Sequence, residues 1–178
     1  SKNNNFSPLL TATKYSMSPP KGGVMAIGKV IKNDRLIEIS KSLILKMKYF
    51  GIFGLEFKYS NKDNKYYFIE LSPRTEGFHN ITKLIGVDLP MVAYRDLVLQ
   101  KNLFNQKETK YSGYWINIRY FIESLVAQKS LRDITKLFVA MFSTKTNYQH
   151  FDLQDLKPFA VANRWYFKIW LRRIRKFF

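Results

Sequence analysis

Two glutamates, Glu56 and Glu70, lie in neighbouring runs of apolar and aromatic residues, IFGLEFKYS and KYYFIELS. Such runs are typical of β-strands, and the polar residues Asn61–Asn64 between them are typical of a turn. The sequence therefore predicts a β-hairpin whose loop is longer than two residues. Counting back from the turn places the two glutamates opposite each other, or within one residue of that position.

A pair of opposed carboxylates is a candidate metal site, because such carboxylates repel unless a cation separates them. Magnesium prefers oxygen ligands, commonly one or two carboxylates together with phosphate and water. Ser72 shares a face with Glu70, since side chains alternate along a strand. The predicted magnesium ligands are therefore Glu56, Glu70 and Ser72. The alternative is a solvated Glu–Lys surface, since Lys58 lies on the face of Glu56.

Candidate phosphate contacts lie close to this pair in the sequence. Arg74 follows Pro73, which restricts how the chain leaves the second strand, and a guanidinium can hold phosphate through two parallel hydrogen bonds. Lys29, in an earlier strand-like run, is a second candidate, with a solvated lysine as the alternative. Glu76 and His79 follow the motif; for His79, a general base is weighed against the more common use in surface packing.

The segment GLEFKYSNKDNKYYFIELSPRTEG resembles the signature stretch of the ATP-grasp superfamily, an acidic residue and a hairpin followed by Glu-x-Asn-Pro-Arg. By position, the resemblance implies that Glu56 and Glu70 bind magnesium between the ATP phosphates. It implies that Arg74 is the catalytic contact to phosphate or to an acyl phosphate. Ser72 stands where Asn is commonest, and the formate-dependent glycinamide ribonucleotide transformylases are similar in having Ser-Pro-Arg there. The resemblance covers roughly Pro20 to Leu99.

Within the superfamily, PPKGGVMAIGKV, GLEFKY and VDLPMVAYRDL look most like carboxylate–amine ligases of the D-aspartate ligase and carbamoyl-phosphate-synthetase-like type. Many of these act on cell-wall or surface-polysaccharide precursors. The resemblance implies an ATP- and Mg²⁺-dependent ligase that joins a carboxylate substrate to an amine substrate through an acyl phosphate. The family's upstream lysine-bearing strand and glycine-rich loop are not found, so we expect this chain to be a segment of a longer protein, incomplete as an enzyme.

The expected fold class is α+β. Residues 1–105 are predicted to be the C-terminal portion of an ATP-grasp domain, with an antiparallel sheet and flanking helices. Residues 106–178 are predicted to be a mixed, mostly helical extension with a basic amphipathic tail. The polar stretch Lys101–Ser112 has the composition of a linker between them.

Local patterns predict the remaining elements. Residues 1–20 are polar and contain three prolines, which predicts a loop or a fraying edge. Gly23–Val30 predicts a strand, continued by Arg35–Ile39, and Ser40 is predicted to cap a helix that ends at Phe50. Later in the chain the patterns predict helices at Asn80–Ile85, from Leu89 or Pro90 to Leu99 and at Ser130–Phe142, a strand beginning at Trp115, and a loop at Asp152–Pro158.

The amino-acid composition favours some kinds of binding partner and excludes some kinds of metal site. Among 178 residues, 30 Lys and Arg against 13 Asp and Glu give a formal charge of +17, which favours polyanionic partners such as nucleotides, nucleic acid or anionic lipid. The absence of Cys excludes disulfides and thiolate metal sites, and two His exclude a multi-histidine site. A cytoplasmic location is expected. A basic nucleic-acid-binding module or a non-catalytic membrane adaptor with a ligase-like fold are the alternatives, but no nucleic-acid-binding signature is present.

The C-terminal segment 164–178 contains six Lys or Arg and no acidic residue. On a helix, its basic residues would cluster on one side and its aromatic residues on the other. This pattern fits an anionic membrane surface at the inner face of a membrane, and it fits equally a terminal helix packed on its own domain.

Overall fold

A computed structural model of the chain describes residues 6–7, 9–19, 22–99, 111–127 and 131–164, with backbone alone at 125–127, 131–133 and 136. The architecture is α+β, as predicted. The chain divides into two compact units. The first unit is Ser1–Thr13 with Lys29–Gly113, and the second unit is Lys14–Gly28 with Tyr114–Phe178. The predicted domain boundary at residue 105 lies outside the described residues.

Six strands and four α-helices are labelled here in chain order. The described strands are β1 (Thr11–Ser18), β2 (Val24–Ile31), β3 (Gly54–Ser60), β4 (Lys65–Ser72), β5 (Tyr114–Ile116) and β6 (Thr146–Tyr148). The α-helices are α1 (Asp34–Lys46), α2 (Leu89–Leu97), α3 (Ile118–Ala127) and α4 (Leu131–Met141). A 3₁₀ helix spans His79–Ile85, and residues 157–164 are helical.

The strands form a four-stranded sheet, in the order β1-β2-β5-β6, and the separate hairpin β3–β4. Strands β5 and β6 run parallel. The larger sheet is mixed, whereas an antiparallel sheet was predicted for residues 1–105; the parallel pair lies in residues 106–178, for which no strand direction was predicted. The physical reason is the connection, since α3 and α4 lie between the two strands in sequence and parallel strands require such a crossover.

Strand β1 corrects the prediction of a loop over residues 1–20. Its buried side chains, Thr11, Ser16 and Ser18, are polar and hydrogen-bonded, which a hydropathy pattern does not reveal. Thr11 donates its hydroxyl to the carbonyl oxygen of Ile31 at 2.5 Å. The hydroxyls of Ser16 and Ser124 lie 2.6 Å apart. Because each partner is distant in sequence, local composition gives no sign of this strand.

Helix α1 corrects two further predictions, a strand at Arg35–Ile39 and a helix cap at Ser40. Asn33 is the actual N-cap, and its side-chain oxygen accepts a hydrogen bond from the backbone N–H of Leu36 at 2.9 Å. The Ser40 hydroxyl instead donates to the Leu36 carbonyl at 2.8 Å, as it does inside a helix. The helix ends at Lys46, four residues before the predicted end at Phe50.

The helices that follow the hairpin were predicted more closely. The 3₁₀ helix ends at Gly86, which has a positive φ of 78°, and Asp88 caps α2 with Pro90 in its first turn. The strand predicted from Trp115 is short and gives way to α3 at Ile118. Helix α4 matches its prediction, whereas the predicted loop Asp152–Pro158 gives way to helix at residue 157.

Each unit has its own buried side chains. In the second unit, Ile27, Ile116, Phe121, Leu137 and Ala140 form one apolar cluster. In the first unit, the buried apolar residues include Val30, Ile44, Ile81, Ile85 and Val87. Among the described residues, no helix combines the length and the apolar character needed to cross a membrane. Residues 165–178 of the basic tail lie outside the described part.

Candidate metal and phosphate site

The hairpin β3–β4 forms where it was predicted, because its turn is well supported. Asn64 has a positive φ of 55°, a conformation that Asn tolerates better than most residues. Its side-chain oxygen accepts hydrogen bonds from Tyr59, at 2.5 Å, and from Arg35 at the start of α1, at 3.1 Å. Arg35 also donates to the carbonyl oxygen of Asn64 at 2.7 Å. These contacts fix the turn and therefore the pairing of the two strands.

The strand register gives the hairpin two different faces, because directly paired residues project to the same side. We call one the polar face, formed by the pairs Gly54–Ser72, Glu56–Glu70, Lys58–Tyr67 and Ser60–Lys65. The other is the aromatic face, formed by the pairs Leu55–Leu71, Phe57–Phe68 and Tyr59–Tyr66. The strand register shifts by one residue between Glu56 and Phe57, so Ile69 of β4 has no paired residue on β3. Because of this bulge, the pairs on each side of the shift keep to the same two faces.

The two glutamates are direct cross-strand partners on the polar face. Glu56 is half-buried and Glu70 is exposed, so both are accessible to a ligand from solvent. Side chains at such positions are about 5 Å apart at their Cβ atoms. The opposition that the sequence predicted is therefore present, and Ser72 lies on the same face, next to Gly54.

The donor set of the polar face fits a hard divalent cation. Two carboxylates and a hydroxyl are all oxygen ligands, which magnesium prefers. Within the described part of the chain, no three Asp, Glu or His side chains are close enough to hold a metal ion by themselves. A magnesium ion on this face would therefore need phosphate and water as further ligands, and the ligand roles of Glu56, Glu70 and Ser72 stay predictions.

Arg74 lies just beyond β4 and is held by the residues that follow it. Its guanidinium donates to the carbonyl oxygen of Thr75 at 3.2 Å and to the carboxylate of Glu76 at 3.4 Å. The Arg74 side chain is 66% exposed, whereas that of Glu76 is only 21% exposed. The arginine thus stays open to an anionic ligand while its acidic neighbour is packed against the protein.

Glu76 packs against the end of the polar face, a role that sequence reasoning missed. A Cβ added to Gly54 would lie 2.9 Å from Cγ of Glu76, closer than carbon atoms tolerate. The missing side chain of Gly54 therefore makes room for the stem of Glu76. Because Gly54 pairs with Ser72, this contact brings Glu76, and with it Arg74, to the side of the hairpin that carries the glutamate pair. The sequence feature that could have indicated this role was the short spacing between Arg74 and Glu76.

His79 has a defined tautomer at the start of the 3₁₀ helix. Its Nδ1 lies 2.9 Å from the carbonyl oxygen of Glu76. A carbonyl oxygen only accepts, so Nδ1 donates and the neutral ring keeps its lone pair on Nε2. His79 also borders a cleft of about 250 Å³ whose other lining residues are Asn80, Thr82, Lys83, Asp88, Leu89 and Pro90. Neither Glu56 nor Glu70 lines this cleft.

Lys29, the second predicted phosphate contact, lies on β2 in the first unit and is half-buried. Its role stays a prediction. Comparisons with protein-family models, with curated proteins and with solved structures found no match for this chain. The resemblance of residues 20–99 to ATP-grasp enzymes therefore stays a prediction from the sequence alone.

Proposed function

We propose that this chain carries the magnesium- and phosphate-binding hairpin of an ATP-dependent carboxylate–amine ligase of the ATP-grasp type. The observation that carries the proposal is the direct pairing of Glu56 with Glu70 on one accessible face. Two like charges at paired positions lower the stability of a hairpin unless something binds between them. The proposal includes a cytoplasmic location, where ATP is available.

In the proposed reaction, a carboxylate substrate attacks the γ-phosphorus of ATP, the bond to the β-phosphate oxygen breaks, and ADP leaves. An amine then attacks the acyl phosphate, giving an amide and inorganic phosphate. Magnesium, held by Glu56 and Glu70 with Ser72 as a neutral oxygen, would neutralise charge on the phosphates. Arg74 binds the transferring oxygens through its exposed guanidinium.

Glu76 gives Arg74 a partner before the nucleotide arrives. Since the pair is long, at 3.4 Å, and Arg74 is largely exposed, a phosphate can take the place of Glu76 at little cost. Arg74 is therefore available for an anion while its approximate position beside the polar face is maintained. Lys29 is proposed as a further phosphate contact from β2.

Magnesium-dependent binding of ATP tests the proposal without knowledge of the substrates. Calorimetric titration of the 178-residue chain with ATP, with and without Mg²⁺, should show that the metal strengthens binding. Glu70→Gln should weaken the Mg²⁺-dependent binding by about 10- to 100-fold, because it removes one anionic ligand. Glu38→Gln, which changes an exposed glutamate of α1 paired with Lys41, is the matched control and should bind as the original chain does.

Binding of ATP that is equal with and without Mg²⁺, or equal in the Glu70→Gln chain, would contradict the proposed metal site. If binding behaves as proposed, carboxylate-dependent release of ADP tests the ligase chemistry. Mg²⁺-dependent binding without any such release from the chain, or from a longer protein that contains it, would favour a non-catalytic adaptor with a ligase-like hairpin.

A further inference from the structure

The half of the polar face next to the turn is cationic and carries an exposed aromatic ring. Toward the turn, the glutamate pair is followed by the pair Lys58–Tyr67 and then by the pair Ser60–Lys65. Both lysines are exposed, and Tyr67 is 51% exposed. Within the described part of the chain, neither lysine forms a salt bridge. The polar face therefore offers positive charge and a flat ring next to the candidate metal site.

The charges of the polar face are arranged differently from those of an ordinary solvated sheet. Opposite charges at paired positions stabilise a sheet, and like charges at paired positions do not. Here Glu56 faces Glu70, and Lys58 faces Tyr67. Acidic and basic residues are therefore separated along the strands instead of being matched across them. This separation is complementary to a metal-bound polyphosphate, whose cation would meet the glutamates and whose next phosphate would meet Lys58.

The ring of Tyr67 is restrained by the turn. Its hydroxyl donates a hydrogen bond to the carboxylate of Asp63, which also accepts one from Ser60. The hydroxyl end of the ring is thereby held, while about half of the side chain stays accessible. A restrained and accessible aromatic ring can stack on a nucleobase with little further loss of side-chain entropy.

The position of Arg74 gives the direction in which a nucleotide would lie. Through Glu76, Arg74 is brought to the Gly54–Ser72 end of the polar face, which is the end away from the turn. If the γ-phosphate lies at Arg74, the nucleoside extends toward the turn. Two residues along a strand span about 7 Å, so Lys58 lies one such step beyond the glutamate pair. The α-phosphate and the nucleoside follow the metal-bound phosphates of ATP in the same order.

We propose that the polar face binds the nucleoside triphosphate lengthwise, with the γ-phosphate at Arg74, the α-phosphate at Lys58 and the base stacked on Tyr67. This inference rests on the proposed ligase function. It adds two nucleotide contacts, Lys58 and Tyr67, to the residues of the candidate metal and phosphate site.

Calorimetric titration of the 178-residue chain with Mg²⁺-ATP and with Mg²⁺-tripolyphosphate tests this orientation. Lys58→Gln should weaken the binding of both ligands by about three- to tenfold, because both carry the phosphate that Lys58 contacts. Tyr67→Leu should weaken the binding of ATP by about five- to tenfold, because it removes the stacking ring. The same variant should change the binding of tripolyphosphate, which has no base, by less than about twofold.

Two exposed residues outside the hairpin provide matched controls. Tyr94, on α2, is 52% exposed, and the side chain of Lys41, on α1, is 38% exposed. Tyr94→Leu and Lys41→Gln should bind each ligand as the original chain does. The tripolyphosphate titration also serves as a folding control for Tyr67→Leu, since a misfolded hairpin would bind neither ligand.

The outcomes separate this inference from the ligase proposal. The orientation is overturned, with the metal site intact, if ATP binding depends on Mg²⁺ and on Glu70 but either Lys58→Gln or Tyr67→Leu binds both ligands as the original chain does. It is also overturned if Tyr67→Leu weakens the two ligands equally. Binding of ATP by the original chain that does not depend on Mg²⁺ would overturn the ligase proposal, and this orientation with it.

Discussion

The two faces of the β3–β4 hairpin share one ladder of backbone hydrogen bonds and differ in what they contribute. On the aromatic face, Phe57 and Phe68 pack edge-on with centroids 5.8 Å apart, and Tyr59 and Tyr66 pack at 4.9 Å. On the polar face, two carboxylates occupy paired positions. The aromatic face therefore stabilises the hairpin, whereas the polar face places two like charges at paired positions.

Helix α1 adds to the stabilising role of the aromatic face, because residues at the start of the helix contact that face. The Asn33 side chain donates to the Tyr66 hydroxyl at 2.6 Å, and the guanidinium of Arg35 lies 5.6 Å from the centroid of the Tyr66 ring. Local arrangements that lower stability are often compensated elsewhere when they serve a function. Substitutions on the two faces should accordingly separate stability from ligand binding.

The largest expected effect on stability is that of Phe57→Ala on the aromatic face. Because Phe57 is half-buried and packs on Phe68, the free energy of unfolding should fall by about 2 kcal/mol, less than for a fully buried Phe. Urea unfolding measures this change. Lys58 follows Phe57 in the chain but lies on the polar face. Lys58→Ala should therefore change the free energy of unfolding by less than about 0.5 kcal/mol. Equal losses in the two variants would contradict the proposed difference between the faces.

Gly54→Ala should have a smaller effect that also reaches the candidate site. The new Cβ would displace Glu76, lowering the free energy of unfolding by about 1 kcal/mol and weakening Mg²⁺-ATP binding by moving Arg74. In Gly54→Ala/Glu76→Ala the clash is absent, so the added cost of the Gly54 substitution should largely disappear. A double-mutant cycle with no coupling between the two positions would show that Glu76 does not pack against Gly54.

Glu70→Gln should act on stability in the opposite direction. Without Mg²⁺, removal of one of two paired negative charges should raise the free energy of unfolding by about 0.5 kcal/mol. The same variant should weaken Mg²⁺-dependent ATP binding, so stability and binding should change in opposite senses. A lower melting temperature for Glu70→Gln in metal-free buffer would indicate that Glu70 supports the fold, contrary to the role proposed for it.

The smallest effect concerns Tyr67 and Asp63, near the turn. The hydrogen bond from Tyr67, followed by that from Ser60, lowers the pKa of the Asp63 carboxyl, and the same bond to Asp63 raises the pKa of the Tyr67 hydroxyl. A lowered carboxyl pKa in the folded state gives stability that is present above its unfolded pKa, near 4, and is lost as pH falls further. A raised phenol pKa gives stability that is present below its unfolded pKa, near 10, and is lost as pH rises.

Tyr67→Phe removes both contributions at once. Its melting temperature should therefore lie slightly below that of the original chain between about pH 5 and 9, and the difference should shrink toward both extremes. Both groups are solvent-exposed, so the effect is small. A difference that is constant from acid to alkaline pH would exclude this hydrogen bond as its cause.

The hairpin was predictable because its information is local. The strand-like runs IFGLEFKYS and KYYFIELS, together with the polar turn, placed Glu56 opposite Glu70 or within one residue of that position. The register shift that leaves Ile69 unpaired makes the pairing direct, and the sequence did not reveal this shift. Strand β1 was not predictable in this way, because Ser16 and Ser18 are satisfied by Ser124 and Glu123, which lie more than a hundred residues away.

Helix α1 shows a second limit of predicting structure from local sequence. The residues Arg35–Ile39 include branched apolar side chains that suit a strand, and the decisive signal was the cap at Asn33, seven residues before the predicted cap at Ser40. The contact between Glu76 and Gly54 is a third case. It depends on how the chain turns back after Pro73, which neither residue reveals by itself.

The central claim is that a divalent ion binds between Glu56 and Glu70, and paramagnetic broadening tests it most directly. Mn²⁺ with ATP is added to the isotope-labelled chain, and the loss of amide signals in nuclear magnetic resonance spectra locates the ion. The account predicts strong broadening at Gly54–Glu56 and Glu70–Ser72, weak broadening at Ser60–Lys65 near the turn, and loss of the effect in Glu56→Gln/Glu70→Gln. Broadening that is centred elsewhere in the chain, or that persists in the double variant, would contradict it.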